Sequence, residues 1–192
     1  MSRRLSQRRA RGFSLVEVLV TTFVLAFSLL TSAGLQIISK KANSEALQRS
    51  SAAQLAQDIV ERMRANPVRA SSYVVADALA LTTPATDCRQ GYCNGAQLAS
   101  YDLWNWARVL DGGMELAPDH RAAGGLMDPT GCISGADGLY IVTIAWRGIG
   151  TLPAAAPGED ASSACGAGKA AYLDESGASL RRVLVMRTYV AS

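Results

Sequence analysis

The chain is poor in the residues that build most catalytic and metal centres. It has one histidine in 192 residues, His120, which lies in a polar stretch between an aspartate and an arginine. A histidine in such a setting is more often a surface side chain than a general base, and without a second one a histidine-rich metal centre is excluded. The glycine-rich stretches also lack the lysine of a phosphate-binding loop. These absences argue against an enzyme, and we expect no cofactor and no metal.

Support for calcium or nucleic acid as a ligand is equally weak. Asp128 and Asp137 flank a glycine-containing loop, but the spacing of an EF-hand is absent. The formal charge of +3 comes from residues 1–12, which hold five arginines and no acid. Removing those five from the 19 basic residues leaves 14 against 16 acidic residues. The chain after residue 12 is therefore close to neutral and lacks the excess of positive charge that nucleic-acid binding requires.

Residues that stop a helix are nearly absent from the first third of the chain. Between Phe13 and Asn66 there is no proline and one glycine, Gly34, and the stretch from Phe13 to Ile38 carries one charge, Glu17. About 26 apolar residues make roughly 39 Å of helix, enough to cross a bilayer. We predict a helix over 13–66, membrane-spanning over 13–38 and amphipathic over 39–66. It should end where proline follows Asn66.

The arginines before this helix act as a topology signal. Positive charge stays in the cytoplasm, so the body lies across the membrane, where disulfides form. One alternative is an ordinary secretory signal, cut near Ala33 to release a secreted binding module. Glu17 argues against it, because a disposable apolar segment has no use for a charge. Another alternative, an anchored enzyme, requires a set of acid, base or metal residues that the sequence does not offer.

Glu17 needs a partner, because a charge inside the membrane costs about 2.5–3.5 kcal/mol. Cleavage after Gly12 would give Phe13 a free ammonium close to Glu17 of the same helix or of a neighbour. A buried ammonium without a partner is costly, so this pairing would fix the axial register of helices that assemble into a bundle. The alternative is that Glu17 lies shallowly and reaches the cytoplasmic interface.

Four cysteines follow the membrane segment and allow three pairings. Cys88 and Cys93 flank a short polar turn, and we therefore pair them with each other, which leaves Cys132 with Cys165. The spacing of the first pair differs from the C-x-x-C of redox sites. We interpret both as structural disulfides.

The body reads as a small α+β domain. Alanines at 42, 46, 53 and 56, with Ile59, Val60 and Met63, form one apolar face of the long helix. A short helix is predicted from the caps at Ser100–Asp102 to Leu110, a loop over 117–138, and a strand over Tyr140–Trp146. Further strands are predicted at Ala170–Leu173 and Leu180–Val190. Three or four antiparallel strands would pack on the helix. We predict that residues 67–192 form one domain stabilised by the two disulfides. The three tryptophans are predicted to lie in its core or in contacts with other subunits.

The junction from the leader to the helix resembles that of the type IV pilin superfamily. Its type III signal has a short basic leader, a glycine at the cut, then phenylalanine, and a glutamate fifth in the mature chain. Here these are Gly12, Phe13 and Glu17. The resemblance implies that prepilin peptidase removes residues 1–12 and methylates the amine of Phe13. It also implies an inner-membrane protein with a periplasmic domain that later enters an extracellular pilus.

Later residues resemble the PilV-type minor pilins, the type IV pilus modification proteins. The similar stretches are Glu61–Asn66, Asp102–Trp104 with Trp106, Tyr140–Trp146, Cys165-Gly166 and Arg181-Arg182. This implies a low-copy subunit near the filament tip that primes assembly with other minor pilins and the major pilin. It also implies support of a tip adhesin in adhesion or twitching motility. Gly34 stands where major pilins often have proline, which favours a minor pilin. The alternative is a minor pseudopilin of a type II secretion system.

Overall fold

The structure, a computed structural model, describes residues 12, 14–114, 124–151 and 163–191. The chain divides into two compact units, residues 1–43 and residues 44–192. The helix α1, Leu15–Ala65, contributes to both units. Its described residues in the first unit are all exposed. The second unit holds every other helix and strand.

In the second unit, α1 buries one narrow face. Its buried side chains are Ala52, Ala56, Ile59, Val60 and Met63. They recur at three- and four-residue steps, and two of the five are small, so the helix approaches its neighbours closely. The predicted face began too early, because the alanines at 42 and 46 are exposed and the one at 53 is half-buried.

The second helix, α2, spans Gly95–Leu110. The side chain of Asn94 accepts hydrogen bonds from the backbone N–H groups of Ala96 (3.1 Å) and Gln97 (3.0 Å), and Gln97 accepts one from the backbone of Asn94. This capping box fixes the start of α2. The prediction of caps at 100–102 was therefore wrong, and the helix begins about one and a half turns earlier.

Three antiparallel strands form one sheet in the order β1-β2-β3. They are β1, Thr130–Ala136, β2, Leu139–Arg147, and β3, Arg181–Tyr189. The predicted strands over Tyr140–Trp146 and Leu180–Val190 are confirmed. The loop predicted over 117–138 was wrong for the residues of β1. A two-residue turn at Asp137-Gly138, with φ of 52° and 83°, joins β1 to β2 and is the type that matches the twist of a hairpin.

Short 3₁₀ helices lie in the connecting segments of the second unit. They lie at Pro67–Tyr73, Ala78–Ala80 and Ala170–Tyr172. The strand predicted at Ala170–Leu173 was wrong, because this segment makes one isolated bridge, from Leu173 to Ser179. The turn that follows it is present, and the Asp174 side chain accepts from the backbone N–H groups of Ser176 and Ala178.

The core lies between one face of the sheet and the helices. Alternate residues of β2, from Tyr140 to Trp146, face it together with the buried face of α1. The indole of Trp106 on α2 is buried and donates to the backbone oxygen of Leu55 on α1, at 2.8 Å. A Cβ added to Gly131 of β1 would come within 2.6 Å of that indole, so the strand needs glycine there. The predicted α+β architecture, a long helix on a small antiparallel sheet, is confirmed.

The opposite face of the sheet, here called the back face, is partly covered by the segment from 163 to 173. Cys132 pairs in register with Thr143, one position out of phase with the core residues of both strands, so its side chain lies on the back face. From there it is joined to Cys165. The hydroxyls of Tyr172 and Thr130 are 2.8 Å apart, and burial raises the pKa of Tyr172. The back face is thus a second, smaller packed layer.

Candidate functional site

Glu17 lies in the first turn of α1 with its side chain exposed. The first backbone hydrogen bond of the helix runs from the N–H of Val18 to the oxygen of Ser14, at 3.2 Å. The N-terminal end of a helix attracts negative charge, which favours a carboxylate there in any chain. In the sequence, position 13 comes four residues before Glu17. Phe13 itself lies outside the described residues.

Gly12 is exposed and unconstrained by packing. A Cβ added to it would meet no atom within 4 Å. Nothing in the described residues therefore requires a glycine at this position. A requirement for glycine would have to come from a protein that binds this segment.

The apolar part of α1 satisfies most of its hydroxyls internally. Thr21, Thr22, Ser28 and Thr31 each donate to a backbone oxygen three or four residues earlier, at 2.8–3.0 Å. Such back-bonding hides a hydroxyl from an apolar environment. Within the described residues, α1 is the one helix long and apolar enough to cross a membrane, and its apolar window is not buried. Glu17 is then the charge for which the described residues of this segment offer no partner.

The segment Glu61–Asn66 joins α1 to the rest of the second unit. Arg62 forms an ion pair with Asp58 at 3.0 Å and donates to Asn105 of α2 at 2.9 Å. Arg64 donates to the hydroxyl of Thr188 on β3 at 3.1 Å, and Asn66 donates to the backbone oxygen of Gly95 at 2.7 Å. The motif at the end of α1 therefore connects this helix to α2 and to β3.

Asp102 is the buried acid at this junction. Its carboxylate accepts a hydrogen bond of 2.6 Å from the hydroxyl of Tyr73 and lies 3.5 Å from the guanidinium of Arg62. Burial, followed by the hydrogen bond to Asp102, raises the pKa of Tyr73 far above its ordinary value. The phenol therefore stays protonated and remains the donor. Sequence reasoning missed this network.

The structure joins Cys88 to Cys93 and Cys132 to Cys165, with Cα atoms 5.5 Å and 5.9 Å apart. These are the pairings favoured by the spacing. The first disulfide closes a surface loop in which Tyr92 is 94% exposed. Beside it, hydrogen bonds from Arg89 lower the pKa of Asp87 to about 2. The second disulfide pins the 163–173 segment to the back face.

The residues considered for other chemistry are not brought together. Asp128 and Asp137 have positive φ angles in two separate turns, and the backbone oxygen of Asp128 accepts a hydrogen bond from Tyr172. His120 lies outside the described residues. Among the residues that are described, no group of three or more histidine, cysteine, aspartate or glutamate side chains could hold a metal ion.

Two family models match the chain. The prokaryotic N-terminal methylation motif matches residues 7–33, and the type IV pilin Tt1218 family matches residues 34–104. The stretch matched by the methylation motif contains Gly12 and Glu17, and the stretch matched by the Tt1218 family ends inside α2. No curated protein and no solved structure matches the chain.

Proposed function

We propose that this chain belongs to the type IV pilin family and is a minor pilin of a type IV pilus; the methylation motif and the Tt1218-like segment support the family. In this proposal, prepilin peptidase cuts between Gly12 and Phe13 and methylates the amine of Phe13. The shortened chain stays in the inner membrane through residues 13–38, with its body in the periplasm. It is then drawn into the filament through the helix of residues 13–66.

The observation that carries this proposal is the position of Glu17. It is the one charge between residues 13 and 38, and in the sequence it comes four residues after the proposed new amine. Hydroxyls nearby are bonded within the helix, whereas a carboxylate in an apolar environment requires a cation. The methylated amine of Phe13, in the same subunit or in its neighbour, supplies that cation.

We further propose that the subunit is PilV-like and lies near the tip. There it would contact other minor pilins and the major pilin through α1, prime assembly, and support an adhesin in adhesion or twitching motility. The residues similar to those of PilV support this assignment. Two of those stretches, Glu61–Asn66 and Asp102–Trp104, make junction contacts in the structure.

The test replaces Glu17 with glutamine, which keeps the size of the side chain and removes the charge. We expect E17Q to insert and to be processed, but to be at least tenfold scarcer in sheared filaments. Glu61→Gln, which changes an exposed acid on the same helix, is the control and should be incorporated normally. Equal incorporation of E17Q and wild type would contradict the docking mechanism. Recovery of the wild-type chain with a type II secretion apparatus and never with pili would instead identify a minor pseudopilin.

A further inference from the structure

The strand β3 lies at one edge of the sheet and is hydrogen-bonded to β2 on its other side. Just beyond its two ends, the N–H of Gly148 donates to the oxygen of Leu180, and the N–H of Val190 donates to the oxygen of Gly138, both at 2.8 Å. Bonded and non-bonded pairs alternate along an antiparallel ladder. The even-numbered residues of β3 therefore bond to β2, and the backbone N–H and C=O groups of its odd-numbered residues point away from the sheet.

These outward backbone groups form an open edge. In the part of the chain that the structure describes, no hydrogen bond reaches the backbone N–H or oxygen of Val183, Val185 or Tyr189 on this side. Proteins commonly protect such an edge with proline, lysine or a bulge. β3 has neither proline nor lysine, and its register with β2 is unbroken over nine pairs. The opposite edge of the sheet is partly covered, because Val75 exchanges hydrogen bonds of 2.8 and 2.9 Å with Ile133 of β1.

The middle of β3 is apolar and half-buried on both faces of the sheet. Its four residues Val183–Met186 are all half-buried, whereas their partners on β2, Val142–Ala145, are all buried. Leu184 and Met186 pack against the core, and the two valines alternate with them and lie on the back face. A further strand beside β3 would cover these side chains on both faces, as β3 covers those of β2.

The chain is too short in one place to cover this edge itself. The backbone oxygens of Gly150 and Ser163 accept hydrogen bonds from the two arginines at the start of β3, so residues 152–162 leave and return near that end. Eleven residues can extend out and back by about 20 Å. Tyr189 lies about 27 Å along the strand from Arg181. Residues 152–162 therefore cannot pair with the whole edge.

We propose that β3 pairs edge to edge with an extended segment of a neighbouring pilin. A row of backbone donors and acceptors at a sheet edge is complementary to an added strand, which supplies the same groups in the same spacing. The apolar residues Val183–Met186 select a segment with apolar side chains on both of its faces. The proposal rests on the proposed function, because a filament supplies the neighbouring subunits. A minor pilin is present in few copies, so the neighbour is a different pilin.

The first test places a charge in the middle of the edge, in the full chain. We expect V185K to be processed normally and to be about tenfold scarcer in sheared filaments, the change that a docking loss of about 1.4 kcal/mol produces. The matched control is Ser134→Lys, which adds the same charge at an exposed position of the back face, on β1. It should be incorporated like wild type. Normal incorporation of V185K, or an equal loss for S134K, would overturn the proposal.

The second test does not depend on the stability of V185K. Photo-crosslinking residues are placed singly at positions 185 and 189, which share one face of β3, and filaments are irradiated after assembly. We expect both probes to mark one segment of another pilin, at sites about four residues apart, because paired strands advance together. Crosslinks to residues 115–123 or 152–162 of the same chain, or to a second copy, would overturn the proposal. Failure of the wild-type chain to enter any pilus would refute the proposed function separately.

Discussion

Asp102→Asn tests whether the junction between α1 and α2 depends on a buried charge. The substitution keeps the shape of a side chain that is 9% exposed and removes its negative charge. The amide oxygen of the D102N side chain can still accept a hydrogen bond from the hydroxyl of Tyr73, but the amide no longer compensates the guanidinium of Arg62. That guanidinium is itself one-quarter exposed, so water relieves part of the loss.

The magnitude follows from what is lost. A hydrogen bond to a charged group contributes about 1.5–3 kcal/mol, and breaking a fully buried ion pair costs about 3–5 kcal/mol. Arg62 keeps its bonds to Asp58 and Asn105, which lowers the expected loss. We expect D102N to reduce the free energy of unfolding by about 2–3 kcal/mol, or roughly 5–10 °C for a domain of this size.

The assay is urea unfolding of the full chain in detergent, followed by tryptophan fluorescence, because the three tryptophans lie in residues 44–192. Glu61→Gln is the control. Its ion pair with Arg64 is surface-exposed, so we expect a loss below about 1 kcal/mol. A Tyr73→Phe variant should be less than additive with D102N, because both changes affect the same hydrogen bond. Equal, small losses for D102N and E61Q would refute the reasoning.

Three further outcomes are expected. On the chain-entropy model, removing the disulfide that spans 33 residues (Cys132–Cys165) should lower the free energy of unfolding by about 4 kcal/mol, and removing the one that spans 5 residues (Cys88–Cys93) by about 2 kcal/mol. Urea unfolding of the cysteine-to-serine variants measures both losses. A larger loss for the Cys88–Cys93 variant would contradict the layered back face. Gly131→Ala should destabilise the domain by about 1–3 kcal/mol, because the added Cβ clashes with α2. Gly34→Ala, where the added Cβ meets open space, should leave the urea midpoint of unfolding unchanged. Equal effects of the two substitutions would mean that β1 can shift to make room. The carboxyl of Asp87 should titrate near pH 2 by NMR. Because its pKa is lowered from 3.8 to about 2 in the folded state, its contribution to stability should be complete above about pH 3.8 and be lost as the pH falls towards 2. Arg89→Ala should return the pKa of Asp87 towards 3.8. An unchanged pKa of Asp87 would mean that another group causes the shift.

The long helix could be predicted because local signals determine it. About fifty residues without proline leave the helix as the default, and the proline after Asn66 ends it. The buried face was harder to place. Ala42 and Ala46 fit the apolar period but lie close to the residue at which the second unit begins, and the side chains of α1 are fully buried only from Ala52 onward. Periodicity finds a face but not the position at which a partner begins to cover it.

The sheet was predicted in part. β2 and β3 are rich in β-branched residues, whereas β1 has glycine at 131 and 135, which lowers its apparent strand propensity. The Asp137-Gly138 dipeptide is a strong hairpin signal and could have revealed β1. The segment at 170–173 has the apolar character of a strand, but it closes into a 3₁₀ turn to place Tyr172 against Thr130.

The contacts across the molecule could not be read from the sequence. Tyr73 and Asp102, which share a hydrogen bond, are 29 residues apart, and Glu45 and Arg182, which form an ion pair, are 137 residues apart. Neither has a local signal, because the residues meet only after the chain has folded. The leader junction is different, since Gly12, Phe13 and Glu17 are close together in the sequence and a motif can show them. What that motif does is still a proposal.

The most direct test of the central claim is the N-terminus and intact mass of the chain recovered from sheared filaments. We predict a chain that begins at Phe13, one methyl group heavier than its composition and lighter by the hydrogens of two disulfides. A chain that begins near Leu35 would mean ordinary signal cleavage after Ala33. It would contain no Glu17, and the assembly mechanism proposed for this protein would be wrong.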